Sequence, residues 1–245
     1  MKDTLGDRIK ENYENRTRIK LPCRSYTIIR IDGKAFHSYT KGLERPFDED
    51  LINDMDDTAK YLCKNIMGAK FAYVQSDEIS ILVTDFETIT TQSWFDNNLQ
   101  KMFSVSASMA TSEFNRLRMK RFNNFSLKQA EFDSRVFQIP QRTEVINYFI
   151  WRQQDCVRNS IQNVAQTLYS QKELMSKNVN QQQELIFQKG INWNDYSVMK
   201  KRGRIILKET YENEQKVQRS RWIVDSPPTF TQEREYLNEL VPINN

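Results

Sequence analysis

Histidine is almost absent from this chain of 245 residues: His37 is the only one. That leaves zinc centres and histidine-based catalytic triads with too few imidazoles to build on. Cysteine is nearly as scarce, at three residues. Cys23, Cys63 and Cys156 are odd in number and far apart, with neither zinc-ligand spacing nor a disulfide framework. They read as reduced thiols of a cytoplasmic protein. Long apolar runs are missing as well, so no segment reads as a membrane span. The first twenty residues, MKDTLGDRIKENYENRTRIK, contain no apolar core of the kind a signal peptide needs. Glycine and proline are few, at six each, while 38% of residues are hydrophobic and 28% charged. That balance excludes a disordered chain and points to a globular, helix-rich one, long enough for one large domain or two small ones.

The formal net charge is +4, modest for the length, but the basic residues are clustered. RLRMKR (Arg116–Arg121), KKRGR (Lys200–Arg204) and KVQRSR (Lys216–Arg221) are the three blocks. Such clusters suit a localised polyanion site, and they equally suit solvated helix faces or a hairpin turn.

Residues 3–15 read as a short amphipathic helix, and Tyr26–Ile31 as a β-branched strand stopped by Gly33. In FDEDLINDMDDTAKYLCKNIMG, the apolar Leu51, Met55, Ala59, Leu62 and Ile66 share one helix face. Acids fill its first turn, and Gly68 suits its C-terminal cap. FAYVQSDEISILV reads as a hairpin with Ser76, Asp77 and Glu78 at its tip. A second long helix is expected from about Ser93 to Phe122, buried along Phe95, Leu99, Met102, Ala110, Phe114 and Leu117, before a strand at Arg135–Ile139. The order strand, helix, strand, strand, helix, strand is the split βαβ, ferredoxin-like α+β arrangement. From Thr143 to Ser170 a further helix carries two stripes: apolar Ile150, Val157, Ile161, Val164 and Leu168, and polar Arg152, Asp155, Asn159, Gln162 and Gln166. Residues 190–211 suggest a hairpin around Lys201-Arg202-Gly203, and the tail from Trp222 a loop and short helix. The division expected is 1–140 as the catalytic domain with its N-terminal helix. Residues 141–245 form a helical and hairpin extension packed on it as one compact unit.

The chemistry concentrates where the first strand ends. In a ferredoxin-like sheet the first strand neighbours the hairpin, which brings Asp32 close to Asp77. Two adjacent carboxylates repel unless a cation lies between them. Mg²⁺ suits such a pair, since it takes a few protein oxygens and fills the rest of its shell with water and phosphate. Two ions about 3.5–4 Å apart can activate a hydroxyl and stabilise a leaving phosphate. Gly33, without a side chain, would let its carbonyl approach metal or phosphate. The competing reading makes Asp32 a cap and Asp77 a favoured turn residue. Glu78 follows Asp77, and strand alternation would point the two to opposite faces. Phe36 and His37 could stack on or bond to a base, or be core and surface residues respectively. Arg45 precedes a helix N-terminus, where a triphosphate would be received.

Taken together, RIDGKAFHSYT, RPFDED, YVQSDEIS, FDSR, WRQQDC and MKKRGRIIL resemble the tRNA-His guanylyltransferase family, in that order and at the family's spacing, over roughly residues 5–210. LGDRIKENYE and WRQQDCVRNSI resemble more the bacterial and archaeal branch, the guanylyltransferase-like 3′–5′ polymerases. The resemblance implies a polymerase-palm domain and addition of nucleotides to tRNA 5′ ends. It implies that Asp32, the Gly33 carbonyl and Asp77 hold two Mg²⁺ ions, with Glu78 beside them among the catalytic acids. Asp32, Gly33, Lys34, Ala35, Phe36 and His37, with Ser76 and Asp77, would bind a nucleoside triphosphate, and Arg45 would contact the phosphates of the activating ATP or GTP. Lys101, Asp155 and Asn159 are further candidates for the nucleotide, and Arg135, Arg158 and Arg202 for RNA. The resemblance also implies a homotetramer. Two departures stand out. The eukaryotic enzymes carry a His-Ile-Asn-Asn run where this chain has Cys156-Val157-Arg158-Asn159-Ser160. A family lysine before the "LIF" strand is replaced by Gln182 or Gln183. Both favour templated repair of truncated 5′ ends over dedicated addition of one G to tRNA-His.

Overall fold

Six strands form one mixed-length antiparallel sheet in the order β4-β1-β3-β2-β5-β6 in the computed structural model, which describes residues 4–244. β1 is Tyr26–Gly33, β2 Ala69–Gln75, β3 Glu78–Val83 and β4 Phe132–Ile139. These four reproduce the ferredoxin-like order. β5 (Arg204–Glu212) and β6 (Gln218–Asp225) are appended beside β2, so the C-terminal half shares the sheet of the N-terminal half.

The central strands β1, β2 and β3 are buried along most of their length because both faces of the sheet are covered there. On one side lie α3 (Glu49–Asn65) and α4 (Leu99–Phe122), packing Met55, Ala59, Leu62, Ala110 and Phe114 against Ile29, Ile31, Val74, Ile79 and Ile81. On the other lie α5 (Arg142–Leu168) and the short α9 (Arg234–Leu240), packing Val145, Tyr148, Phe149 and Leu237 against Tyr26, Ile28, Phe71, Tyr73 and Leu82. α7 (Val179–Gln188) leans on the far half of α5 through Ile161, Val164, Ala165 and Ile186, closed by Trp193. Burying a side chain of this size is worth about 1.5–3 kcal/mol, so the two sheet faces dominate stability. α1 (Thr4–Asn12) stands outside these cores, with none of its side chains buried.

The expected face of α3 is the observed one, with Asp48 capping its N-terminus by accepting from the Leu51 amide at 2.7 Å. Its end differs from expectation. The helix stops at Asn65, and Gly68 serves the turn into β2, at φ +83° and close to the Thr84 carbonyl. The second long helix also starts later than expected. Phe95, Asp96 and Asn97 all take left-handed backbone, which resets the chain and turns Phe95 outward. α4 then begins under the Asn98 cap, whose side chain accepts from the Lys101 amide.

Two further expectations fail. Lys201-Arg202-Gly203 is no hairpin turn: Val198–Arg202 is a short helix, α8, and the β5–β6 turn lies at 213–217, stabilised by Asn213. The "LIF" segment is no strand either, since Leu185, Ile186 and Phe187 belong to α7, with Ile186 facing the core and Phe187 exposed. Much of the basic clustering is spent internally. Arg116 pairs with Glu113, while Arg118 and Arg121 pair with the fully buried Asp54. Lys200 pairs with Glu49, Arg204 with Asp56 and Arg221 with Glu209. The first block is therefore chiefly a clamp between α3 and α4.

Gly33 has a packing reason to be glycine. A Cβ there would come within 2.2 Å of the Phe36 ring, which is itself held by Tyr39, Phe114 and Phe132. We expect Gly33→Ala to lower stability by about 1–3 kcal/mol through overpacking. Pairing it with Phe36→Leu should recover much of the loss in urea denaturation. An unchanged midpoint in the single variant would refute this account of the glycine.

Candidate active site

β1 and β3 run antiparallel with Asp32 opposite Glu78, and β1 and β4 with Asp32 opposite Asp133. Residues directly opposite share a face. One row across the sheet is therefore acidic, Asp133–Asp32–Glu78, and the next, two residues back, holds Arg135, Arg30 and Ser80. Both rows face α5, because Tyr26 and Ile28 on the same side of β1 pack in the α5 core. The two-residue turn Ser76-Asp77 joins β2 to β3 and needs a left-handed residue, which Ser76 supplies at φ +46°. Across it the Gly33 amide donates to the Asp77 carbonyl at 3.2 Å, locking the turn to the end of β1.

The three acids differ sharply in how they are satisfied. Glu78 is buried and receives Arg152 through Nε at 2.8 Å and Nη2 at 2.7 Å, Arg30 at 2.8 Å and the Ser80 hydroxyl at 3.1 Å. Asp32 has only distant guanidinium groups, Arg30 and Arg135, each at 3.6 Å. Asp77 is in no ion pair among the described residues. Burial raises the pKa of Asp32, with Glu78 adding to the effect. Burial pushes Asp77 up to about 6, and the charge of Asp32 contributes, while its own amide and the Ser76 hydroxyl pull the other way.

Two hollows meet at this turn. The larger, of about 340 Å³, lies between the loop after β1, α3 and α5, with His37, Arg45, Asp77, Asn159, Lys200 and Arg204 among its walls. The smaller, about 180 Å³, is walled by Asp32, Asp77, Glu78 and Arg152 with Asn159, Gln162 and Asn163 of α5. Ser76, Asp77, Asn159 and Asn163 belong to both. The larger is of small-molecule size.

The family of tRNAHis guanylyltransferases matches residues 6–140, more than half of the chain. The chain belongs to that family. It is thereby a nucleotidyltransferase of the tRNA guanylyltransferase-like kind. A bacterial tRNA(His) guanylyltransferase-like protein solved in complex with ATP is 50% identical, with a TM-score of 0.89 over 98% of this chain and all of that one. A bacterial protein of the same description in complex with GTP is 48% identical, with a TM-score of 0.83 and the same coverage. The tRNA(His) guanylyltransferase of Schizosaccharomyces pombe is 30% identical over 217 residues, 83% of this chain and 80% of its own length.

In this guanylyltransferase-family chain the fold gathers Asp32, Gly33, Ser76, Asp77, Glu78 and Asn159 around the two hollows, with His37 and Arg45 in the wall of the larger. Ala35 starts the short helix α2 (Phe36–Tyr39) from left-handed backbone at φ +53°. Lys34 turns outward to Glu131. Phe36 lines the cavity but is buried, and its ring packs against Tyr39, Phe114 and Phe132 in the core. Glu78 is on the same face as Asp32 and bound by two arginines, so it anchors the site rather than carrying a free carboxylate. Asp155 is taken up by Arg152 and Arg158 and lines neither hollow. Arg135 does reach the site, beside Asp32. Lys101 does not line either hollow and lies over Phe95. Arg202 is displaced by its neighbours: its carbonyl accepts from the Tyr73 hydroxyl at 2.6 Å, while Lys200 and Arg204 line the cavity. Sequence reasoning missed Arg30, whose signal was a charge inside an otherwise apolar strand. It named Arg204 only as the end of the KKRGR block, and its pairing with Asp56 at 2.8 Å, across 148 residues, has no local signal.

A carboxyl raised in the fold is held neutral by it. Asp77 thus adds stability below the ordinary carboxylate range, and that contribution is lost as pH rises through about 6. In chelator, wild type should lose up to about 3 kcal/mol relative to Asp77→Asn between about pH 4 and about pH 7, and run parallel above. Denaturation curves parallel throughout would show that Asp77 is not perturbed.

Proposed function

We propose that the protein is a Mg²⁺-dependent 3′–5′ nucleotidyltransferase that rebuilds truncated tRNA 5′ ends, templated by the opposite strand of the acceptor stem. The observation that carries this is the junction at the Ser76-Asp77 turn, where a nucleotide-sized cavity opens onto two under-neutralised carboxylates. A 50% identical protein solved in complex with ATP, and a 48% identical one in complex with GTP, support a purine triphosphate as the occupant of that cavity.

Asp32 and Asp77 suit Mg²⁺ because burial and neighbouring carboxylates, Glu78 for Asp32 and Asp32 for Asp77, leave both in want of positive charge. No group of three or more His, Cys, Asp or Glu side chains poised for a metal exists among the described residues, so the Gly33 carbonyl, water and phosphate would complete the shell. Bound there, two ions would neutralise phosphate charge and make a hydroxyl a better nucleophile. The chain's own residues then do the positioning. Arg45 and Lys200, both in the cavity wall, would bring positive charge to the triphosphate. Asn159 lines both hollows and would offer its amide to the bound nucleotide. The 5′-monophosphate would first take the nucleotidyl group of ATP or GTP, releasing pyrophosphate, and the 3′-hydroxyl of an incoming nucleotide would then attack the 5′-phosphorus, expelling AMP or GMP. Both steps are phosphoryl-type transfers, in which positioning and charge neutralisation do most of the catalysis.

The repair reading over a dedicated tRNA-His enzyme rests on Cys156–Ser160. Cys156 and Ser160 line the larger hollow, but the Cys156 thiol and the Ser160 hydroxyl are taken up by the Lys201 carbonyl, and Ser160 also accepts from the Trp193 indole, so within this run Asn159 alone lines both hollows. Purified protein should extend a tRNA lacking its 5′ nucleotide, given Mg²⁺ and NTPs, by the residue the opposite strand specifies. Extension of tRNA-His alone, by an untemplated G, would favour the stricter enzyme, and extension of no tRNA would refute the proposal. Asp32→Ala and Asp77→Ala should each lose addition by about three orders of magnitude or more while retaining the wild-type circular dichroism spectrum. Near-normal addition by either would sink the metal assignment.

A further inference from the structure

Trp151 is the one tryptophan that faces solvent with half its surface, at 49% exposed; Trp94 and Trp193 are buried and Trp222 half-buried. A single exposed aromatic on a protein surface is ordinary. This one is held in place. The Arg152 guanidinium lies 4.2 Å from the ring centroid, Arg30 lies at 6.0 Å, and Tyr148 packs edge-on at 5.9 Å. Both arginines are in turn fixed by Glu78, and Arg30 reaches to within 3.6 Å of Asp32. The indole is therefore one guanidinium away from the carboxylate row.

Trp151 lines neither hollow. It precedes Asn159 by eight residues of α5, roughly 12 Å at the helical rise. A base bound in the larger cavity would not reach it. Joining two nucleotides requires a place for the second one, and around Trp151 the surface has the right character. Arg135, cross-strand from Arg30, and Arg158, two turns further along α5, are each more than half exposed and could meet phosphates.

We propose that the Trp151 indole is a stacking platform for a nucleobase at the RNA end presented to Asp32 and Asp77. Stacking is indifferent to base identity because every base has a π face, which suits an enzyme that leaves sequence to the template. Guanidinium groups against the indole hold the ring at a fixed angle and add cation–π attraction. The inference rests on the nucleotidyltransferase reading above for the identity of the RNA.

The test uses intrinsic fluorescence of the full chain, with a 5′-monophosphorylated single-stranded RNA tetranucleotide in one arm and ATP in the other. The RNA should quench tryptophan emission in wild type, and Trp151→Phe should abolish most of that quenching. ATP should cause no quenching that depends on Trp151. In steady-state extension of truncated tRNA, Trp151→Ala should raise KM for the RNA by roughly five-fold or more, with KM for the nucleotide unchanged. Trp151→Phe, which keeps a ring, should recover much of that loss. Quenching that survives in Trp151→Phe, quenching by ATP through Trp151, or an unchanged RNA KM in Trp151→Ala would each overturn the platform. Trp151-dependent quenching in a protein that extends no tRNA would instead uphold the platform and defeat the enzymatic reading.

Discussion

Glu78 and Arg152 form the contact on which the site depends. A bidentate guanidinium–carboxylate pair, both members nearly fully buried, ties α5 to the centre of the sheet at the end that carries the acids. Such a pair adds little net stability over an apolar one, because both charges lose their hydration. Its geometry is what matters. The fork fixes α5 in rotation, so that Asn159, Gln162 and Asn163, further along the same helix, face the hollow below Asp77. It also places positive charge beside a row of three carboxylates, without which that row would resist assembling in the fold.

The remaining walls are set by ion pairs between distant segments rather than by local preference. Asp56 on α3 holds Arg204 at the start of β5, and Glu49 holds Lys200 on α8. These pairs draw the second half of the chain over the first and close the larger cavity. The sheet itself achieves the same union, since β5 pairs with β2. A cavity shared by α3, α5 and the β1 loop could not exist in the first 140 residues alone, although those contain both Asp32 and Asp77.

What could be read from the sequence follows from the range of each interaction. The α3 face and the Ser76-Asp77 turn were legible because period and turn chemistry are local, and the ferredoxin-like order followed from the order of elements. The apolar stripe expected on α5 was legible only in part, since Ile150 and Val157 are half-buried and Arg152 of the polar stripe is buried. The juxtaposition of Asp32 with Asp77 was legible once that topology was assumed. Gly203 misled because a glycine after basic residues suits a hairpin turn equally well as the end of a short helix. Here the Tyr73 hydroxyl and the Val74 carbonyl crowd it, at 2.5 and 2.7 Å from where a Cβ would stand. Phe36 was ambiguous for a similar reason: nothing in its neighbours along the chain reveals that Phe114 and Phe132 close around it. The basic blocks were left ambiguous because net charge does not reveal pairing. The acids that neutralise Arg118, Arg121 and Arg204 lie on α3, far away in sequence.

Glu78 shows how geometry separates acids that sequence groups together. By position it stands equal to Asp77, one residue away, and to Asp32, directly across the strands. Yet its oxygens are met at 2.7 and 2.8 Å, within hydrogen-bonding distance, whereas the arginines near Asp32 stand at 3.6 Å, beyond it. A carboxylate already saturated by guanidinium groups has little left to offer a cation, and its charge is best spent holding the helix. A carboxylate that the fold leaves incompletely satisfied is costly until something positive arrives. In this protein one incompletely satisfied acid, Asp77, lines both hollows and the other, Asp32, lines the smaller, where the satisfied Glu78 also stands. The arrangement divides one acidic cluster into a part that binds and a part that supports it.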